Sequence, residues 1–181
     1  MIVRSATEAD AAALAAIYGD AVLHGFGTFE EEPPTPADMD GRRRAVQDQG
    51  LPYLVAEDEG RVLGFAYAGP FRPRAAYRYT LEDSVYVSPD AKGKGVGRAM
   101  LTAIIAACEA LGVRQLMAVI GDSGNQGSIA LHRALGFEQT GVGRSVGFKH
   151  GRWVDIVHMQ KPLNGGDTAL PTGGGVTLTG H

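Results

Sequence analysis

The chain predicts an α/β domain in which a mixed sheet carries helices packed on its faces. Three observations carry that reading. Strand-like and helix-like segments follow one another in the order β-α-α-β-β-β-α-β-α-β-β. The 181 residues are 44% hydrophobic, which suits one packed domain with a tail better than two domains. A glycine-rich run, Lys92 to Gly97, stands between a strand pattern and a helix pattern.

The elements follow from local pattern. Ile2 to Arg4 is a short strand, and Thr7 with Asp10 forms a capping pair before a helix whose apolar stripe is Leu14, Ile17, Ala21 and Val22. A loop runs from His24 to Pro36. Thr35 and Asp38 repeat the capping pattern, and a polar helix continues through Arg42 to Gln49. Tyr53–Glu57 and Val62–Ala68 form a hairpin around Asp58-Glu59-Gly60-Arg61. Thr80–Val87 is a strand ended by Pro89. A helix from about Arg98 carries the stripe Leu101, Ile104, Ile105, Cys108 and Leu111, and Gly112 caps it. Gln115–Ile120 reads as a strand buried on both faces. A short helix, Gln126 to Leu135, stops at Gly136. Two strands, Glu138–Val146 and Trp153–Met159, flank the turn at Lys149–Arg152. The domain spans residues 1–163, and the Gly- and Thr-rich residues 164–181 read as a flexible tail.

Composition excludes several roles. A net charge of -3 gives no global support for binding nucleic acid. The single cysteine, Cys108, rules out a disulfide framework within the chain, and its apolar stripe marks it as core. Nothing resembles a secretory leader, and no stretch approaches the ~20 apolar residues that span a bilayer. The expected setting is soluble and cytoplasmic, without membrane contact. His24, His150, His158 and His181 have no metal-ligand spacing, so no metal is expected.

The run Lys92-Gly93-Lys94-Gly95-Val96-Gly97-Arg98 is an anion site in outline. Free amides converge at a helix N-terminus, glycines let the backbone approach a phosphate, and three cations flank it. A P-loop would place Ser or Thr after the lysine, and Gly95 follows Lys94. A dinucleotide fingerprint needs GxGxxG on the first strand of a βαβ unit, and the spacing here is GxGxG. The pyrophosphate motif of the GNAT N-acetyltransferases fits, with Lys92 in the place of the usual arginine or glutamine.

The resemblance to that superfamily extends on both sides. Ser84-Val85-Tyr86-Val87 resembles the strand that pairs with the pantetheine arm, and a bulge there is expected to free backbone groups. Asn125 and Ser128, then His132, Gly136 and Phe137, resemble the second cofactor motif. Asn125 also suits a plain N-cap. Ala66-Tyr67-Ala68-Gly69-Pro70, Glu82 to Val87, Ala118–Gly121 and Gly147–Trp153 are similar to the phosphinothricin and methionine sulfoximine acetyltransferase branch. The match covers residues 1–163. It implies a GNAT-like mixed, mainly antiparallel sheet with helices on both faces, acetyl-CoA as co-substrate, a small-molecule amine as acceptor, and a homodimer.

Acetyl transfer to an amine needs a base, an oxyanion donor and a proton for the departing thiolate. The resemblance puts Glu82 at the base position; Asp83, its neighbour, is expected to face the other way. The amide of Val85 or Val87 is the expected oxyanion donor. His132 stands where many relatives carry an acid tyrosine, and either proton donation or packing suits it. Arg72, Arg74 and Arg78, with Tyr77 and Tyr79, are candidate contacts for an amino acid carrying a second anionic or polar group, with Phe29 and Glu30 as the opposite wall. Lys149 and Trp153 read as supports of the last hairpin or of a subunit contact. Other amines (a polyamine, an aminoglycoside, a protein N-terminus) or a non-catalytic acyl-CoA sensor are the competing readings.

Overall fold

The computed structural model describes residues 1–178; residues 179–181, the end of the expected tail and with it His181, lie outside the described residues. In chain order the elements are β1 (Ile2–Ser5), α1 (Ala11–His24), α2 (Pro36–Gln47), β2 (Tyr53–Asp58), β3 (Arg61–Pro70), β4 (Thr80–Val87), α3 (Val96–Ala110), β5 (Gln115–Gly121), α4 (Gln126–Ala134), β6 (Glu138–Lys149) and β7 (Arg152–Pro162). One seven-stranded sheet has the order β1-β2-β3-β4-β5-β7-β6, and β4–β5 is its only parallel pair among the described residues. The expected mixed, mainly antiparallel sheet is therefore present, with helices on both faces. No helix of the described residues is long and apolar enough to cross a membrane.

Strand alternation sorts the core into two layers. Leu81 and, on α3, Met100, Leu101, Ile104 and Cys108 are buried together on one face. Tyr53, Val55 and Phe65 meet Leu14, Ile17, Tyr18 and Val22 of α1 and Met39 of α2 on the other. Each such side chain contributes roughly 1.5–3 kcal/mol by leaving water. Both capping boxes form. The Asp10 carboxylate accepts from the Thr7 amide at 2.8 Å, and the Thr35 hydroxyl accepts from the Asp38 amide at 3.2 Å.

Four expectations change. β5 is fully buried on one face only, through Leu116, Ala118 and Ile120, because α1 and α2 cover β2 to β4 and stop short of it. Within β4 the register with β3 is continuous, so no bulge frees its backbone. The last hairpin is longer than expected, and it is irregular between Gly143 and Gly147, where Ser145 has a positive φ. The segment expected to be a flexible tail makes defined contacts: Arg114 donates to the carbonyls of Gly166 (2.8 Å) and Ala169 (2.6 Å), and the Val176 amide donates to Arg78 (2.8 Å). Composition hid this because the chain is held there mainly by backbone groups, which any residue supplies.

Candidate active site

β4 and β5 pair only from Thr80↔Gln115 to Asp83↔Ala118, and beyond that the strands part. The parting leaves the outer edge of Ser84–Val87 without a strand partner, which is the exposure the sequence assigned to a bulge. A groove of about 810 Å³ occupies the split. It is lined on one side of the sheet by Ile17, Asp20, Ala21 and His24 of α1 with Gly25–Gly27, and on the other by Gly127, Ser128 and Leu131 of α4. An unpaired strand edge takes an extended, amide-bearing ligand as an added strand.

At one end the groove meets the glycine run. Gly93 and Gly95 have φ of 75° and 81°, and Gly95 is the N-cap of α3. A side chain there would force a left-handed residue, so glycine lets the amides turn toward an anion. Val96 is buried and anchors the helix start, while Lys92, Lys94 and Arg98 are exposed and form no ion pair among the described residues. Val85, Tyr86, Val87, Lys92, Gly93, Gly95, Val96, Gly97, Arg98, Asn125 and Ser128 all line the groove; of the expected cofactor residues only Lys94 does not. Asn125 is the N-cap of α4, its side chain accepting from the Ser128 amide at 3.2 Å.

The floor holds a buried pair that sequence reasoning missed. His132, 3% exposed, lies with Nε2 3.0 Å from Asp83 Oδ1. Its Nδ1 lies 2.8 Å from the Ser128 carbonyl, which only accepts, so Nδ1 carries a proton. One further proton is then shared between Nε2 and Asp83. Burial pushes His132 down, but the hydrogen bond and charge of Asp83 outweigh it and hold the imidazole above its ordinary range. Asp83 does face away from Glu82, as alternation requires, and the face it takes is the one His132 occupies. That conjunction was the available signal.

Glu82 stands on the opposite face of β4, paired in register with Gly69 and Met117, just where the split opens. It lies outside the groove lining. Burial pushes its carboxyl up, Arg72 opposes that and Asp83 adds to it. Around it on this face are Tyr67 and Ser84, and Tyr86 packs edge-on to Tyr18 at 4.9 Å.

The expected acceptor residues divide. Arg72 acts on Glu82 and lies over the Phe71 ring at 4.4 Å. Arg74 and Tyr77 are exposed on the same loop. Arg78 donates to the Ala75 carbonyl (3.0 Å), and the Tyr79 hydroxyl donates to the Gly173 carbonyl (2.5 Å). Both of these serve the loop and the C-terminal segment rather than the space before Glu82. Glu30 is also engaged: it accepts from Arg42 at 2.7 and 3.0 Å and from Tyr18 at 2.9 Å. Phe29 lies across Gly147, where a Cβ would come within 2.3 Å of its ring. Lys149, expected as a support of the hairpin or of a subunit contact, instead ties down this wall. It is 1% exposed and donates to the carbonyls of Gly25 (2.9 Å) and Thr28 (2.8 Å). Arg152 adds to it, lying 3.8 Å over the Phe26 ring while paired with Asp122 at 2.6 Å. Among the described residues no group of three or more metal-ligating side chains comes together.

A split parallel pair, a glycine cradle at a helix start and a carboxylate at the head of the split define an acyltransferase that uses a nucleotide thioester. The chain belongs to the acetyltransferase (GNAT) family, whose model matches residues 16–137. It is 57% identical over 169 residues to a phosphinothricin N-acetyltransferase of Alcaligenes faecalis, covering 93% of this chain and 86% of that one. It is 44% identical to an L-methionine sulfoximine/L-methionine sulfone acetyltransferase of Pseudomonas paraeruginosa, covering 90% of this chain and 94% of the relative. The crystal structure of a phosphinothricin acetyltransferase from Sinorhizobium meliloti in complex with AcCoA superposes with a TM-score of 0.93 at 49% identity, covering 98% and 96% of the two chains.

Proposed function

We propose that residues 1–163 transfer the acetyl group of acetyl-CoA to the amino group of a small amino-acid analogue: phosphinothricin, methionine sulfoximine or methionine sulfone. The observation that carries this is the position of Glu82 at the head of the β4–β5 split, whose groove runs on to the glycine cradle at its end. The pyrophosphate lies on the amides and cations of residues 92–98, and the pantetheine amides pair with the free edge of Ser84–Val87. Asn125 and Ser128 flank the arm.

The reaction proceeds by direct attack in a ternary complex. Glu82 takes a proton from the ammonium, directly or through one water, and the freed nitrogen attacks the thioester carbonyl. The amide of Val85 or Val87 receives the oxyanion. The C–S bond breaks as the tetrahedral intermediate collapses, the thiolate takes the proton shared by Asp83 and His132, and the nitrogen releases its second proton to solvent water, from which the Asp83–His132 pair regains its own. Arg72, with Arg74 and Tyr77, meets the acceptor's carboxylate and its tetrahedral group, while Phe29, on the wall held by Lys149, closes the other side.

A thiol-release assay with acetyl-CoA and a panel of amines tests the proposal. Turnover of phosphinothricin or the sulfoximine supports it; turnover of a polyamine, an aminoglycoside or a peptide N-terminus alone refutes it. Because burial raises the Glu82 carboxyl, the acid limb of kcat/KM falls above the ordinary carboxylate range, with activity lost as pH drops through it. Glu82→Gln removes that limb and lowers kcat by about 10²–10⁴.

We propose a cytoplasmic homodimer. Phe148 and Trp153 are 59% and 63% exposed and pack edge to face at 5.3 Å, an apolar pair that one chain leaves uncovered. Light scattering that reports a monomer at micromolar concentration refutes the dimer.

A further inference from the structure

We propose that residues 173–176 form a strap that positions the acceptor loop: by holding Arg78 and Tyr79, it sets, through Tyr77 and Phe71, the place of Arg72 beside Glu82. The inference rests on the acceptor site described above and adds to it a segment outside residues 1–163.

The strap grips the loop at two points. The Val176 amide donates to the Arg78 carbonyl at 2.8 Å, and the Tyr79 hydroxyl donates to the Gly173 carbonyl at 2.5 Å. Between them, Gly175 has φ +76°, and a Cβ there would lie 2.7 Å from the Arg78 carbonyl oxygen. Only glycine allows that approach. Val176 packs half-buried against the core, and Arg114 fixes the approach to the strap at Gly166 and Ala169.

From Arg78 the contacts run to Arg72 without a gap. The Arg78 amide and Nη1 both donate to the Ala75 carbonyl, at 3.2 and 3.0 Å, and the Tyr77 amide donates to Arg74 at 2.9 Å. The Tyr77 ring meets Phe71 edge-on at 5.8 Å, and Phe71 carries the Arg72 guanidinium 4.4 Å above its face. The charges that act on Glu82 are Arg72 from this loop and, from the opposite face of its own strand, Asp83, with the Tyr67 hydroxyl from β3. Arg72 is the only cation among them. A loop of exposed polar residues has little apolar burial of its own, so its geometry depends on such clamps.

Two variants test this: a chain ending at Thr172, and Gly175→Ala in the full chain. Each is measured for both KM values, for the pH profile of kcat/KM with the amine the parent acetylates fastest, and for thermal unfolding. The expected result is a rise in amine KM of about three- to tenfold, the size of one net hydrogen bond. Acetyl-CoA KM stays unchanged. The acid limb moves to higher pH, because the Arg72 charge no longer holds the Glu82 carboxyl down. An amine KM and acid limb equal to the parent's in the chain ending at Thr172 overturn the proposal. So does an equal rise in both KM values, which marks general loosening. A parent that acetylates no amine refutes the function instead. Hydrogen exchange then reads the strap alone, and amides 74–80 exchanging equally with and without it refute the strap.

Discussion

Lys149→Met isolates what the buried ammonium does for the acceptor wall. Methionine keeps most of the stem's volume and loses the charge. The ammonium makes two hydrogen bonds, to the Gly25 and Thr28 carbonyls, and a bond to a charged group contributes roughly 1.5–3 kcal/mol. Taking the lower value for both gives about 3 kcal/mol. Burying an extra apolar group in place of the ammonium returns about 0.8 kcal/mol. The loop therefore loses roughly 2 kcal/mol of its preference for the position these bonds hold, and amine KM rises by up to about 30-fold, since 1.4 kcal/mol is tenfold. Hydrogen exchange at residues 25–30 should speed up, while amides of α3, on the far face of the sheet, keep their protection. The assay is amine KM at saturating acetyl-CoA, paired with exchange on the same sample. Loop amides as protected as the parent's, with KM within about twofold, would show that the ammonium is a tolerated burial rather than a tether.

Three further outcomes follow from the same geometry. Gly95→Ala forces a left-handed alanine at about 1–2 kcal/mol and raises acetyl-CoA KM with little effect on amine KM; initial-rate kinetics separate the two. His132→Phe leaves the Asp83 carboxylate buried without its partner, so urea unfolding should show a loss of about 3–5 kcal/mol; a loss below about 1 would mean that the pair holds little of the fold. Glu82→Gln should stabilise the protein at neutral pH. A carboxyl whose pKa is raised by folding costs stability once ionised, so the gain is present above its folded pKa and vanishes below the ordinary carboxylate range. Denaturation midpoints at pH 4 and pH 7.5 check the sign.

Much of this arrangement was legible because it is local. The strand, glycine run and helix start of residues 80–98 lie within one continuous stretch, and each residue's type reports its own backbone need. The capping pairs at Thr7 and Thr35 read correctly for the same reason. What escaped was contact across distance. Lys149 reaches loop carbonyls more than a hundred positions earlier, and no pattern in its own hairpin marks that. Asp83 reads from alternation as facing away from Glu82, and nothing local shows that the helix face bearing His132 covers it. Glu30 carries the charge of an acceptor contact but has given it to Arg42. The C-terminal segment reads as a free chain because, beyond the Asn164 side-chain amide and the Val176 side chain, its anchors to the domain are backbone carbonyls and one backbone amide.

The short pairing of β4 with β5 has a mechanical consequence. Among the described residues only four strand residue pairs join β1–β4 to β5–β7, so the sheet is two half-sheets stitched along a brief seam that opens like an unfinished zip. On the proposed function, a pantetheine arm lying in the gap would supply the missing rungs and become part of the sheet. Ligand at about 100 times its Kd should then add about 2.7 kcal/mol to stability by mass action, and its protection should concentrate in the strands on either side of the seam. An open edge in mid-sheet also invites pairing with another chain. Saturation with the cofactor should accordingly slow aggregation on heating by closing the seam from within.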